Sequence, residues 1–205
     1  MGPVSVQDDE WLERRLPLMH RRAGGRPIFE LGCGSGRDTA RLIAAGLGVI
    51  ALDRSADAIA NARVRAFGAE FHCRDIRMPF PPEARALGVV LASLALHYFP
   101  WIETERLVRR IADALDADGI LVCRVNATDD FGYGASGHPE IEPNFYLVDG
   151  RAKRFFDVPS LDRLFAGWQI LDREHQTIDR YSAPKAVWEI VLSRPPSYLK
   201  AKGTP

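Results

Sequence analysis

The stretch "IFELGCGSGRDTARLI", residues 28–43, decides the fold. It opens as a short apolar run interrupted by the acid Glu30, breaks into the alternating glycines Gly32, Gly34 and Gly36, and resumes with the spacing of a helix. A buried strand that turns into a helix through such residues exposes bare backbone where side chains would otherwise stand, so a ligand can come close. The chemistry of that ligand is set by what surrounds the turn.

Pyrophosphate fits poorly. The dinucleotide fingerprint is G-x-G-x-x-G, and here Arg37 holds the position of its last glycine. No G-K-[ST] occurs anywhere, which excludes a Walker A loop. Acids instead mark the ends of the next two apolar runs, Asp53 in VIALDRS and Asp75 in FHCRDIR. Open α/β sheets bind ligands at the carboxyl ends of their strands, and an acid about 20 residues beyond the glycines is placed to meet ribose hydroxyls. An acidic rim favours a ligand carrying amine and sulfonium charge over one carrying phosphate.

Outward from this turn, short apolar runs alternate with amphipathic ones, the pattern of a parallel α/β sheet. Strands are expected near 27–31, 48–53, 69–73, 87–93 and 119–125. Between them Ala40, Ile43, Ala44 and Leu47 repeat at helical spacing, as do Ile59, Ala62 and Ala66, and Leu107 or Val108 with Ile111 and Leu115. Two further runs, 168–178 and 185–192, are separated by a turn too short for a crossover helix and must pair antiparallel. PSLDRLF before them reads as a short helix beginning at Pro159 or Ser160. Residues 127–157 form an aromatic and glycine-rich insertion of the length that builds lids or binding loops. A helical segment at 1–25 and a frayed tail at 194–205 complete a single domain, with no internal repeats.

With 205 residues, 46% hydrophobic and 26% charged, the chain has the make-up of a folded globular unit. Its 27 basic and 27 acidic residues cancel, which speaks against wholesale binding to nucleic acid or an anionic membrane. Cys33, Cys73 and Cys123 are scattered and odd in number, so neither a disulfide framework nor a zinc knuckle is expected. The leading residues lack a signal-peptide run, and the apolar LGVVLASLAL at 87–96 is about half the roughly 20 residues that span a bilayer. A cytoplasmic location is the expectation, with no membrane partner.

ELGCGSGRDT, ALDRS, CRDI and GVVLASLALHYF together resemble the motifs of the class I S-adenosylmethionine-dependent methyltransferases. The R-D-T after the last glycine is similar to small-molecule branches such as the tellurite-resistance and thiopurine methyltransferases. The resemblance implies a Rossmann-like fold: a seven-stranded, mostly parallel sheet with an antiparallel terminal strand and helices on both faces. It implies S-adenosyl-L-methionine as cofactor. Gly32, Gly34 and Gly36 would wrap its methionine part, with Cys33 and Asp38 in the same cofactor-binding set; Glu30 could hold an amino group or orient the turn. Asp53, with Arg54 beside it, would bind the ribose, Asp75 and Ile76 would flank adenine, and Ser93 and Leu94 would pass near the amino acid.

Methyl transfer from a sulfonium is an in-line displacement by an acceptor held close, aligned and dry; a base helps only where the acceptor carries a proton. His97 and Tyr98, in the loop after the fourth strand, are the candidates for base and for a group that orients or shields the sulfonium. A packed structural histidine is the alternative reading of His97. Arg124 and Asn126 leave the fifth strand at the same edge, and the insertion offers Tyr133, His138, Glu142, Asn144, Phe145 and Tyr146, a set suited to a small, partly flat acceptor. Phe145, Tyr146, Phe155 and Phe156 could equally bury the insertion against the sheet. Arg180, Tyr181 and Lys185 could meet an anionic acceptor or simply form a solvated turn. Thiolate capture of a soft element is weighed against buried cysteine as a small hydrophobe, and the latter is preferred. No metal site is expected. Nucleic-acid methylation is disfavoured because ASLALHYF lacks the Asn/Asp-Pro-Pro-aromatic motif of adenine modification and no Pro-Cys nucleophile follows the fourth strand. Protein methylation, a decarboxylated donor and a non-catalytic donor-binding module stay open.

Overall fold

The computed structural model describes residues 10–179 and 182–194. Residues 1–9 of the expected N-terminal helical segment, Arg180, Tyr181 and the tail from 195 onward lie outside that range. Before the sheet, a 3-10 turn at Glu13–Arg15 leads into α1 (Leu16–Ala23). There follow β1 (Ile28–Leu31), α2 (Arg37–Ala44), β2 (Val49–Asp53), α3 (Ala56–Arg65), β3 (Glu70–Cys73), β4 (Leu87–Ser93), α4 (Trp101–Ala114) and β5 (Leu115–Asn126). The insertion contributes β6 (Glu140–Glu142), β7 (Phe145–Val148) and β8 (Arg151–Arg154), and the chain continues as α5 (Val158–Leu164), β9 (Gln169–Ile178) and β10 (Lys185–Ser193).

The main sheet has seven strands in the order β3-β2-β1-β4-β5-β10-β9, with β10 antiparallel to both of its neighbours and the rest parallel. Strand order reverses between β1 and β4. There the two connections leave in opposite directions, and the carboxyl ends of the strands open a crevice. β1 is buried throughout and β4 is buried up to Ser93.

Alternation along the strands sorts the core into two layers. Phe29, Leu31, Val90, Ala92, Leu121 and Cys123 point to the face covered by Leu107, Val108 and Ile111 of α4 and Leu161 and Leu164 of α5. Ile28, Val89, Leu91, Ile120 and Val122 meet Met19 and Ala23 of α1, Leu42 of α2, and Ile59 and Ala62 of α3. Contact between α1 and β4 is backbone-close, since a Cβ on Gly88 would fall 1.8 Å from the Arg22 carbonyl oxygen.

Several boundaries differ from the sequence expectation for local reasons. The fifth strand starts at Leu115, directly after α4. Helix α5 starts at Val158, because Asp157 accepts from the Ser160 amide and the Ser160 hydroxyl accepts from the Asp157 amide, a reciprocal cap one residue upstream of the expected start. In α2 the buried side is Asp38, Thr39 and Leu42, whereas Ala44 is exposed. That face turns polar inward because it serves the glycine turn. Arg194, expected in the tail, is buried and donates to the Leu115 carbonyl at 2.7 Å.

The insertion folds as a small antiparallel sheet, β6-β7-β8. Glu142 ties it to α4 by accepting from the Trp101 amide at 2.9 Å and pairing with Arg154. Phe145, Phe155 and Phe156 are buried, as the packing reading of these aromatics expects.

Candidate functional site

Leu52, near the end of β2, accepts from the amides of Gly32 and Cys33 at 2.8 and 3.0 Å, which lashes the turn to the neighbouring strand. Asp53 completes the fastening: its Oδ2 accepts from the Gly34 amide and its Oδ1 from the Ser55 amide, both at 2.9 Å. Gly36 has φ +76°, and a Cβ there would lie 2.9 Å from Ala62 of α3, so only glycine permits this approach of turn to helix. A Cβ on Gly34, at φ +53°, would meet no protein atom within 4 Å. That glycine borders open space.

The space is a cavity of about 500 Å³ at the switch point, lined by Glu30, Gly32, Cys33, Gly34, Ser35, Arg37, Asp38, Ser93, Leu94 and Tyr98. Its floor is acidic. Glu30 is buried and accepts from the Thr39 hydroxyl at 2.5 Å. Burial, with the nearby Asp38 charge adding to it, pushes the Glu30 carboxyl up to about 8. Asp38 is 7% exposed, and its Oδ1 has no hydrogen-bond partner among the described residues. A buried carboxylate oxygen left unpaired is costly, and Asp38 is among the residues that line the cavity. Burial raises the Cys33 thiol far above the ordinary range, and it pushes Cys123 up to about 12. Both behave as buried small hydrophobes rather than thiolates.

On the opposite wall, Leu94 holds φ +55°, rare for a branched residue, while its amide donates to the Arg124 carbonyl at 3.0 Å. Such strain survives only where its surroundings enforce it, and here it sets the lip of the cavity. Tyr98 is 45% exposed and lines the same wall, its ring centroid 4.2 Å from that of His97. His97 itself is buried, with Nδ1 unpartnered among the described residues. Burial, and then the charges of Lys185 and Lys153, hold it well below the ordinary histidine range, so it is neutral.

Most of the residues expected to wrap a methionine part are thus brought together. Others stand apart from the lining. Asp75 is gripped by Arg77, with Nη2 2.7 Å from Oδ2, and is held below the usual carboxylate range by that contact; Ile76 is part of the core. Arg54 is exposed beside Asp53. Arg124, expected at the acceptor, is fully buried: its Nη2 donates to Glu189 at 2.6 Å and its guanidinium lies 4.1 Å from the Trp11 ring centroid. Asn126 is buried, donates to the Arg154 carbonyl, and leaves Oδ1 unpartnered among the described residues. Tyr133 anchors the insertion to the β9-β10 turn, donating to the Ala183 carbonyl at 3.0 Å and accepting from the Ala183 amide at 3.1 Å. Tyr146 sits in the small sheet, 6.0 Å from the Phe155 ring. Lys185, expected to meet an anion from solvent, is buried and paired with Asp130 at 2.6 Å.

Sequence reasoning missed Ser35 and Arg37 as lining residues. Arg37 is legible in the sequence as the residue in place of the last glycine and as the first of R-D-T, but neither pattern points to it as a lining residue.

Residues 28–119 match a family model described as a methyltransferase domain. The fold is that of the S-adenosylmethionine-dependent methyltransferases. A 1,6-didemethyltoxoflavin-N1-methyltransferase of Burkholderia thailandensis, solved with 1,6-didemethyltoxoflavin and S-adenosylhomocysteine, is 22% identical over 92% of this chain and 80% of its own, with a TM-score of 0.68. An S-adenosylmethionine-dependent methyltransferase of Mesorhizobium loti is 20% identical over 91% and 99%, with a TM-score of 0.70. A third methyltransferase structure, from Methanosarcina mazei, is 18% identical over 87% and 97%, with a TM-score of 0.72. Comparison with curated proteins gave no match. The shared methyltransferase fold places the glycine turn and cavity at the strand-order reversal. Among the described residues no helix is long and apolar enough to cross a membrane.

Proposed function

We propose that this protein is an S-adenosylmethionine-dependent methyltransferase acting on a small-molecule acceptor in the cytoplasm. The observation that carries the reading is a cavity of about 500 Å³ at the strand-order reversal, lined by the acids Glu30 and Asp38 beside the open backbone of Gly34. Those groups fit an ammonium-bearing, phosphate-free ligand. Bound there, S-adenosylmethionine supplies an already activated methyl group on sulfur.

Asp38 and Glu30 would face the ammonium, and Arg37, on the same lining, gives the donor carboxylate a cationic partner. This favours the intact donor over a decarboxylated one. Asp53 would share its carboxylate between the Gly34 amide and the ribose hydroxyls, while Asp75 and Ile76 border adenine. Tyr98 would shield the sulfonium edge. Asn126 would offer Oδ1 toward the acceptor, under an insertion fastened by Tyr133 and carrying Tyr146, and neutral His97 has the protonation state a base requires.

A small acceptor is supported by balanced charge, by the lack of nucleic-acid motifs after β4 and by the R-D-T sequence. The Burkholderia neighbour, solved with a small heteroaromatic compound, is in keeping with this. The test is calorimetry with S-adenosylmethionine, S-adenosylhomocysteine and NADH, followed by incubation with methyl-labelled donor and a metabolite extract. Saturable binding of the first two and label in a small product are expected. Binding of NADH instead would overturn the donor, label in protein or nucleic acid would overturn the acceptor class, and tight binding without turnover would make the chain a sensing module.

A further inference from the structure

A second group of donor atoms lies at the edge of the sheet, apart from the cavity. Strand β3 is the outermost strand, and Glu70 and His72, two residues apart, project from the same face of it. His72 Nε2 lies 2.8 Å from Glu70 Oε1. Glu83 arrives from the β3-β4 connection, where the Ala84 amide donates to the Pro81 carbonyl at 2.9 Å and both Pro81 and Ala84 are buried. That turn pins Glu83 over the strand. One ligand atom from each of Glu70, His72 and Glu83 falls within 4.8 Å of the other two.

Among the described residues, neither carboxylate is paired with a lysine or arginine, although arginines engage many of the protein's other acids. Two carboxylates and an imidazole are therefore gathered with no cationic counterpart beyond the imidazole itself. The spread of up to 4.8 Å exceeds the roughly 3–3.5 Å between adjacent ligands of one small ion, and His72 Nε2 is hydrogen-bonded to Glu70 Oε1, so an ion entering here would replace that hydrogen bond, release its proton and draw Glu83 inward. We infer that Glu70, His72 and Glu83 form a binding site for a divalent transition-metal ion of zinc type, clamping the β3-β4 connection to the sheet edge.

An O,O,N donor set with free positions open to water suits zinc and its neighbours in preference to a soft monovalent ion. Cys73 does not add a thiolate: alternation turns it to the other face of β3, where its Sγ lies 3.8 Å from the Arg54 carbonyl oxygen. None of the three ligands lines the methyltransferase cavity, so the metal serves structure and takes no part in methyl transfer.

Titration of the metal-free protein with zinc ion by calorimetry, with and without thermal unfolding at saturating zinc, tests the site. One zinc per chain and a raised melting temperature are expected, with affinity reduced at least about tenfold in His72→Ala and in Glu83→Gln and unchanged in Cys73→Ser. Cobalt substitution should give a visible absorption band in the parent and lose it in His72→Ala. Undiminished zinc affinity in both ligand variants, or no saturable binding to the parent, would overturn the site. S-adenosylmethionine affinity is measured alongside and is independent of the outcome.

Discussion

At the scale of single residues, the cavity floor is made by acids in different states. Glu30 is engaged by Thr39, while Asp38 keeps one oxygen unpartnered. Asp38→Asn should weaken S-adenosylmethionine binding by about 1.5–3 kcal/mol, the range for a hydrogen bond to a charged group, with a smaller effect on a donor analogue lacking the amino group. Calorimetry on both ligands decides it, and equal losses would remove Asp38 from the ammonium. For His97, burial and unpartnered Nδ1 fit either a base or a packed ring. His97→Gln should cut kcat roughly 10²-fold or more while leaving donor affinity nearly intact, if the acceptor's proton leaves through it. A variant of unchanged kcat would assign the ring to packing.

Among elements, a buried electrostatic tie joins the sheet to the turn before α1. Glu189 on β10 accepts from Arg124 on β5 at 2.6 Å and from Arg14, just before α1, at 2.8 Å; Arg15 Nη1 lies 3.2 Å away, and Arg15 Nη2 reaches Asp172 on β9. Three segments meet on one buried carboxylate, and Arg15 links it to a fourth, β9. Removing one partner strands the remaining charges, so Glu189→Gln should cost about 3–5 kcal/mol in urea unfolding. Arg124→Met combined with Glu189→Leu should be less destabilised than either single change, and additive losses would refute coupling. This network also shows why Arg124 was misplaced by sequence reading. It sits at the end of β5 beside the expected acceptor, and its partner lies 65 positions later, where no local pattern points back to it. The periodicities that gave β1–β5 are local and survived; the pairing of distant charges, and the three short strands of the insertion, had no such period to betray them.

Over the whole molecule, two buried groups bend stability with pH in opposite directions. Glu30 keeps its proton up to about 8 in the native state, whereas the unfolded chain releases it near 4.5, so stability falls as pH rises across that window. His97 stays neutral when folded, whereas the unfolded imidazole takes a proton below about 6.5, so stability falls as pH drops below that value. Between 4.5 and 6.5 the two oppose; above 6.5 Glu30 acts alone. Urea midpoints of the donor-free protein should therefore decline from pH 6.5 to 8, by on the order of 2 kcal/mol in unfolding free energy. Glu30→Gln should flatten that decline; an unchanged slope would show that Glu30 ionises normally. The glycine spacing made a cavity at the carboxyl ends of the strands readable from the sequence, because a parallel sheet fixes where its loops converge, although the strand-end acids Asp53 and Asp75 do not line it. What stood outside that rule, the acidic face of α2 and the gathering of Glu70, His72 and Glu83, depends on how helix and loop are rotated against the sheet.

The insertion leaves and rejoins the chain at almost one point: Ala127 bridges Phe156, the Phe156 amide donates to the Asn126 carbonyl at 2.9 Å, and the Thr128 amide donates to the Phe156 carbonyl at 3.1 Å. A segment closed at its own neck in this way is a cassette. Its sequence can drift between those anchors while the strands on either side keep their register.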